Sequence, residues 1–183
     1  MLQVVNPADG DVIAELPEDT PDSVRAKYEA ARAAQPAWAA TPPEHRLECV
    51  RRFRAGIVRD LEKLAAILTA EVGKPIAQSR NELNGLLGRI DFFLAETAAV
   101  LAPRQVFEGD GMRERITHEP LGVIANISAW NYPYYVGANV FVPALLTGNA
   151  VLYKPSEYAT LTGIEIGKLL HAAGVPQDVF AVA

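Results

Sequence analysis

The residues best suited to chemistry are Asn131, in Ile127-Ser-Ala-Trp-Asn-Tyr-Pro133, and the pair Lys154 and Glu157, in Lys154-Pro-Ser-Glu157. An asparagine amide donates hydrogen bonds without titrating near neutrality, so it suits an oxygen that gains negative charge during a reaction. The same residue also reads locally as a helix N-cap, with Pro133 in the first turn, where its missing N–H costs nothing. A lysine and a glutamate this close suit a ribose. The carboxylate accepts from the 2′-hydroxyl and the ammonium donates to ribose oxygens. The plain alternative is a solvated ion pair at a strand exit.

Other chemistries find little support. Neither G-x-G-x-x-G nor G-x-x-x-x-G-K-[ST] occurs. His45, His118 and His171 are far apart and lack ligand spacing, so no metal is expected. The single cysteine, Cys49, excludes an internal disulfide. Arg51 and Arg52 stand near it and cations lower a thiol pKa, but a lone cysteine beside an apolar helical face reads as a small packing group. The net charge is −5, with no basic cluster or aromatic-basic stripe, so no nucleic-acid partner is expected. The apolar stretches are interrupted by Asn, Gly and Pro, so no membrane span is expected either. The first residues have neither the basic head nor the apolar core of a signal peptide. One cysteine fits a reducing compartment. The cytoplasm is the expected location.

The elements that must position these residues follow from the spacing of apolar and turn residues. Asn6-Pro7 and Asp9-Gly10 before Val12 and Ala14 predict a turn and a short strand. Thr20-Pro21-Asp22 opens a helix expected to stop near Pro36. Thr41 to Glu44 has capping-box spacing. Behind it, Leu47 to Leu68 recur at helical intervals, as one bent helix or two, closing at Gly73. A further helix spans about 76–101. Gln105–Gly109 and Met112–Glu119 flank Asp110-Gly111, a tight hairpin turn. The second arm, polar on both faces, needs another surface to lean on. From Leu121 the order is strand, helix, strand, helix, strand: Leu121–Ile127, Pro133–Thr147, Ala150–Tyr153, about Thr162–Ala173 with Thr162 and Glu165 as a box, then Val179–Ala183. Such alternation predicts a parallel sheet with right-handed crossovers, an α/β fold. Asn131 and Lys154 then fall just beyond the carboxyl ends of the first two strands, where open parallel sheets bind ligands.

Three stretches, EPLGVIANISAWNYP, PALLTGNAVLYKPSE and AAGVPQDVFAV, resemble successive landmarks of the aldehyde dehydrogenase superfamily. The opening, NPADGDVIAELPEDTPDSVRAKYEAARAAQPAW, and AEVGKP resemble its amino-terminal region, so the likeness spans essentially the whole chain. It implies NAD(P)-dependent oxidation of an aldehyde to an acid: a cysteine thiolate attacks, hydride passes to nicotinamide, and a glutamate activates water. The implied fold is a set of amino-terminal helices (1–104), a β-hairpin oligomerisation arm (105–120) and the first part of a Rossmann-like sheet (121–183). The implied assembly is a dimer or tetramer.

Carried over by position, Asn131 matches the oxyanion-hole asparagine, which favours donor over cap. Ile127, Ser128, Ala129 and Trp130 match the segment along the cofactor. Lys154, Ser156 and Glu157 match its adenosine ribose site, and Glu157 favours NAD over NADP. Tyr132, Val136 and Asn139 match the wall of the substrate tunnel. Ala129 replaces the usual proline, and Val140 stands where many relatives carry lysine. The family nucleophile and water-activating glutamate match nothing here, and Cys49 is not in the nucleophile's place. The chain therefore reads as an amino-terminal piece of such an enzyme, inactive alone. The competing readings are a partial dinucleotide-binding module without chemistry and a structural piece that pairs with a full-length relative.

Overall fold

The computed structural model describes residues 1–183. Thr20 starts the first helix as expected, accepting from the Ser23 N–H while Ser23 Oγ accepts from the Thr20 N–H. Helix α1 (Pro21–Ala39) does not stop at Pro36 but runs one turn further. Proline removes a single intrahelical bond, and tertiary contacts hold the turn beyond it. Trp38 is buried there and its indole N–H donates to the Leu145 carbonyl at 3.0 Å. Ahead of α1, β1 (Leu2–Val5) and β2 (Val12–Leu16) form an antiparallel hairpin, so the expected turn and single strand become two.

Helices α2 (Pro43–Arg59) and α3 (Leu61–Val72) are separate, joined at Asp60. The capping box expected from Thr41 to Glu44 does not form. Thr41 Oγ1 donates back to the Trp38 carbonyl at 2.7 Å, and Glu44 pairs with Arg51 at 2.6 Å. Both groups found partners in place of the α2 amides. Gly73 ends α3 at φ +77°, a conformation that favours glycine, and α4 (Ile76–Leu101) follows.

Asp110 (φ +51°) and Gly111 (φ +76°) make the turn between β3 (Arg104–Gly109) and β4 (Met112–Ile116). Two consecutive positive φ values match the twist of a two-residue hairpin. The hairpin is exposed, with Val106 and Phe107 of β3 and Met112 and Ile116 of β4 facing solvent.

Beyond it, β5 (Val123–Ile127), β6 (Ala150–Lys154) and β7 (Phe180–Val182) form the expected parallel sheet in the order β5-β6-β7. Strand β5 begins two residues later than expected, because Gly122 has φ +116° and gives its N–H to Asn149 Oδ1 instead of the ladder. The crossovers are α5 (Pro133–Leu146) and α6 (Thr160–Ala172). Tyr153 packs towards Gly137 of α5, whereas Val24 of α1 shares a cleft with Ala125 and Leu152. Alternate strand residues point to opposite faces, so α1 covers the other side of the sheet. The aromatic centre joins both halves of the chain: Phe141 stands edge-on to Phe53 of α2 at 5.9 Å and to Phe180 of β7 at 5.4 Å.

Buried Arg46 of α2 ties α1 to α5. Its guanidinium donates to the carbonyls of Leu146 (3.0 Å), Ala39 (3.1 Å) and Thr41, placing a cation on the orphan acceptors at two helix ends.

Candidate cofactor and active site

The segments that follow β5 and β6 leave the sheet side by side. Ile127 pairs with Lys154 in the parallel register, and the Ser128 N–H donates to the Lys154 carbonyl at 3.0 Å, so the ladder extends one residue past β5. Strand register, not local motif, brings Ser128 beside Lys154.

On the β6 side, Lys154 Nζ stands 3.2 Å from Glu157 Oε2, and Ser156 Oγ donates to the same oxygen at 3.3 Å. Ser156 is buried while both charged side chains are half in solvent. The Glu157 carboxyl lies below the usual range because of a backbone N–H and then Lys154. A cleft of about 560 Å³ opens here, lined by Ile127, Lys154, Pro155, Glu157 and the α1 end of the chain. Ile127, at 79% exposure, lies at its rim. Ser128 Oγ is buried beside Tyr153, whose hydroxyl burial pushes up to about 12.

The Trp130 ring stands edge-on to Tyr158 at 5.8 Å and lines a neighbouring cavity with Val5, Pro7 and Val72, and Glu157 lines both this cavity and the first cleft. Ala129, before it, is half-buried.

Asn131 is exposed and is not the cap of α5. The N-cap position is Tyr132, and no side chain of that segment caps the helix. Glu82 of α4 does so from outside: its Oε1 accepts the N–H of Tyr134 at 2.8 Å and of Tyr135 at 3.2 Å. The Asn131 carbonyl accepts from Lys74 Nζ at 2.8 Å, and that ammonium lies 4.2 Å from the centre of the Tyr132 ring. Tyr132 and Tyr135 face a cleft of about 540 Å³ whose other wall is Gln78, Asn81 and Gly85 of α4. Val136 and Asn139 follow half-buried on α5, and Asn139 Oδ1 accepts from Arg89 at 2.6 Å.

Helix α6 repeats the arrangement. The box expected from Thr162 and Glu165 does not form, since Glu165 pairs with Lys63 (2.6 Å) and Lys168 (2.8 Å). Buried Glu71 of α3 accepts the N–H groups of Leu161 (2.8 Å) and Thr162 (2.7 Å) and the Thr162 hydroxyl. Glu71, Lys74, Glu82 and Tyr135 are the residues around the candidate site that spacing did not reveal. Glu71 and Lys74 do lie within AEVGKP, one of the stretches that carried the resemblance.

Cys49 is 2% exposed in the core between α2 and the Gly174 turn, and burial pushes its thiol up. It is not an activated thiolate. No three His, Cys, Asp or Glu side chains gather as metal ligands, and no helix is long and apolar enough to cross a membrane.

The whole of residues 1–183 fits the model of the aldehyde dehydrogenase family. The chain belongs to that family. It is 36% identical over 156 residues to the N-succinylglutamate 5-semialdehyde dehydrogenase of Sphingopyxis alaskensis, covering 85% of this chain and 32% of that protein. An aldehyde dehydrogenase crystal structure from Brucella melitensis biovar abortus superposes with a TM-score of 0.95 at 29% identity, over 100% of this chain and 38% of that one. An NAD-dependent benzaldehyde dehydrogenase from Corynebacterium glutamicum gives 0.92 at 29% identity, over 99% and 40%. The chain thus spans about a third of the length of the curated aldehyde dehydrogenase it matches.

Proposed function

We propose that this segment supplies the adenosine-binding half of the cofactor site and the oxyanion donor of an NAD(P)+-dependent aldehyde oxidation. Lys154 and Glu157 would hold the adenosine ribose, with Ser156 steadying the carboxylate and Ile127 and Ser128 lying along the cofactor. The residues fit such a group. A donor and an acceptor stand 3.2 Å apart at a strand end, half in solvent, beside a cleft that Ile127 and Pro155 also line. When bound, the nicotinamide accepts the hydride lost by the substrate.

The protein's own contribution at the reacting carbon is electrostatic. As a nucleophile adds to the aldehyde, its oxygen gains charge, and the Asn131 amide donates to it. A preorganised donor of this kind is worth about 3 kcal/mol. Tyr132, Val136 and Asn139 would wall the substrate path, with Tyr135 beside them. The nucleophile and the water-activating carboxylate are to be sought outside these residues, since Cys49, the single cysteine, is buried in the core.

The observation that carries the reading is that Glu82, not Asn131, satisfies the first amides of α5. The Asn131 side chain has no capping duty and lies between the two clefts in chain order. The test is Asn131→Ala in the full-length protein that carries this segment. Turnover should fall by about 10²–10³ with NAD+ affinity nearly unchanged. Preserved turnover would overturn the donor role.

A further inference from the structure

Lys74 and Glu82 form an ion pair 2.6 Å long whose side chains are 10% and 0% exposed. A pair buried this deeply gains little net stability, because desolvating two charges offsets most of their attraction. Its hydrogen bonds show a different use. Glu82 Oε2 receives Lys74, and Oε1 receives the amides of Tyr134 and Tyr135. Lys74 also donates to the Asn131 carbonyl and lies over the Tyr132 ring. Residues 131, 132, 134 and 135 are therefore all tied to one ion pair from outside their own helix.

We propose that Lys74 and Glu82 are positioning residues for Asn131: the pair fixes the backbone of residue 131 against the first turn of α5 so that its amide is preset for the developing oxyanion. The proposal rests on the reading of Asn131 as that donor. Lys74 leaves the chain directly after the α3 stop, where Gly73 has φ +77° and an added Cβ would meet Pro7 at 2.6 Å. The lysine thus starts from a tightly specified point. Glu82 projects from the second turn of α4, which packs on α5, and Lys74 stands in the three-residue link between α3 and α4, while Asn131 stands in the bend before α5. Preorganised donors lose effect steeply with misplacement, and a shift of about 1 Å costs up to about 10²-fold in rate. Neither Lys74 nor Glu82 acts on the reacting atoms; they act through Asn131.

A double-mutant cycle in the full-length protein that carries this segment tests the assignment. Lys74→Met is expected to lower kcat about 10- to 100-fold while KM for NAD+ stays within about twofold. In an Asn131→Ala background the same change should lower kcat by less than about twofold more, because the donor it positions is already gone. Glu82→Gln keeps an acceptor for the Tyr134 and Tyr135 amides but removes the charge. It should show a smaller loss with the same non-additivity, and it serves where Lys74→Met does not fold. Losses that multiply with that of Asn131→Ala, or a lowered Tm with unchanged kcat, overturn the positioning role. If Asn131→Ala by itself leaves kcat unchanged, the donor reading fails first, so the two failures are told apart by that single variant.

Discussion

Glu71 accepts the Thr162 N–H at 2.7 Å across 91 residues of sequence, and Glu82 accepts the Tyr134 N–H at 2.8 Å across 52. Each crossover helix of the sheet therefore starts against a buried carboxylate from a scaffold helix. A helix N-terminus carries orphan amides and partial positive charge, so an acidic side chain is its natural partner. Using a remote one leaves the side chains of the loops after β5 and β6 free of capping duty.

The first expectation concerns stability. Glu71→Ala strands the half-buried Leu161 amide and the buried amide and hydroxyl of Thr162, and the cost should be about 2–3 kcal/mol in urea unfolding. A loss below about 0.5 kcal/mol would mean that water replaces the carboxylate without penalty.

The pH dependence of the same group has a definite sign. Burial raises the Glu71 carboxyl above 4.5, against the opposing hydrogen bonds from Thr162 and Leu161. The folded state then holds more protons than the unfolded one between 4.5 and the raised value. Its contribution to stability is greatest below that window and declines as pH rises through it. Relative to Glu71→Gln, which does not titrate, the unsubstituted protein should lose stability from about pH 4.5 upward until Glu71 is fully ionised. Unfolding curves collected across that range read the difference directly, and an opposite slope would reverse the assignment.

Cofactor choice should depend on Glu157. Its carboxylate, exposed beside Lys154 and held below the usual range by a backbone N–H and then by Lys154, would face a 2′-phosphate with like charge. The complete protein is expected to prefer NAD+ to NADP+, and Glu157→Gln to narrow the gap by about tenfold. Equal kcat/KM ratios in the variant and the parent would remove Glu157 from the discrimination.

Cys49 should behave as a packing residue. With 2% exposure and a raised pKa, its thiol should react with a disulfide reagent only as fast as the protein opens, and at full rate in denaturant. Rapid labelling of the folded protein would contradict the burial.

Residues 1–183 alone should show no NAD-linked aldehyde oxidation, because Asn131 has no positioned nucleophile to assist. Exposed Leu121 and Ile127 on the β5 side, and Val106, Phe107 and Met112 on the hairpin, present apolar surface that favours self-association. A sizing column and an assay with several aldehydes check both points. Turnover that vanishes in Cys49→Ser, or a stable monomer, would count against them.

Much of the fold was legible because its signals are local. Apolar spacing and turn residues placed α4 at 76–101 without error, marked the Asp110-Gly111 turn, and ordered the strands and helices of the sheet. Those features depend on side-chain period and on φ preferences, which a residue carries with it. The family was legible too, through motifs that sit at strand ends. The errors fell where a local rule met a distant partner. Thr162 and Glu165 have the spacing of a capping box, yet each bonds to residues of α3. Pro36 should end α1, yet Trp38 anchors the turn beyond it to Leu145.

Asn131 shows the same division. Its residue type and its place before Pro133 were compatible with both cap and donor, since one amide serves either use. Local sequence determined that an asparagine stands at the end of β5. Only the tertiary structure decided that it does not cap α5, by bringing Glu82 to the amides of Tyr134 and Tyr135 and Lys74 to the Asn131 carbonyl. A hydrogen bond between residues 52 or 57 positions apart leaves no periodic trace in a sequence, because its geometry is set by how helices pack.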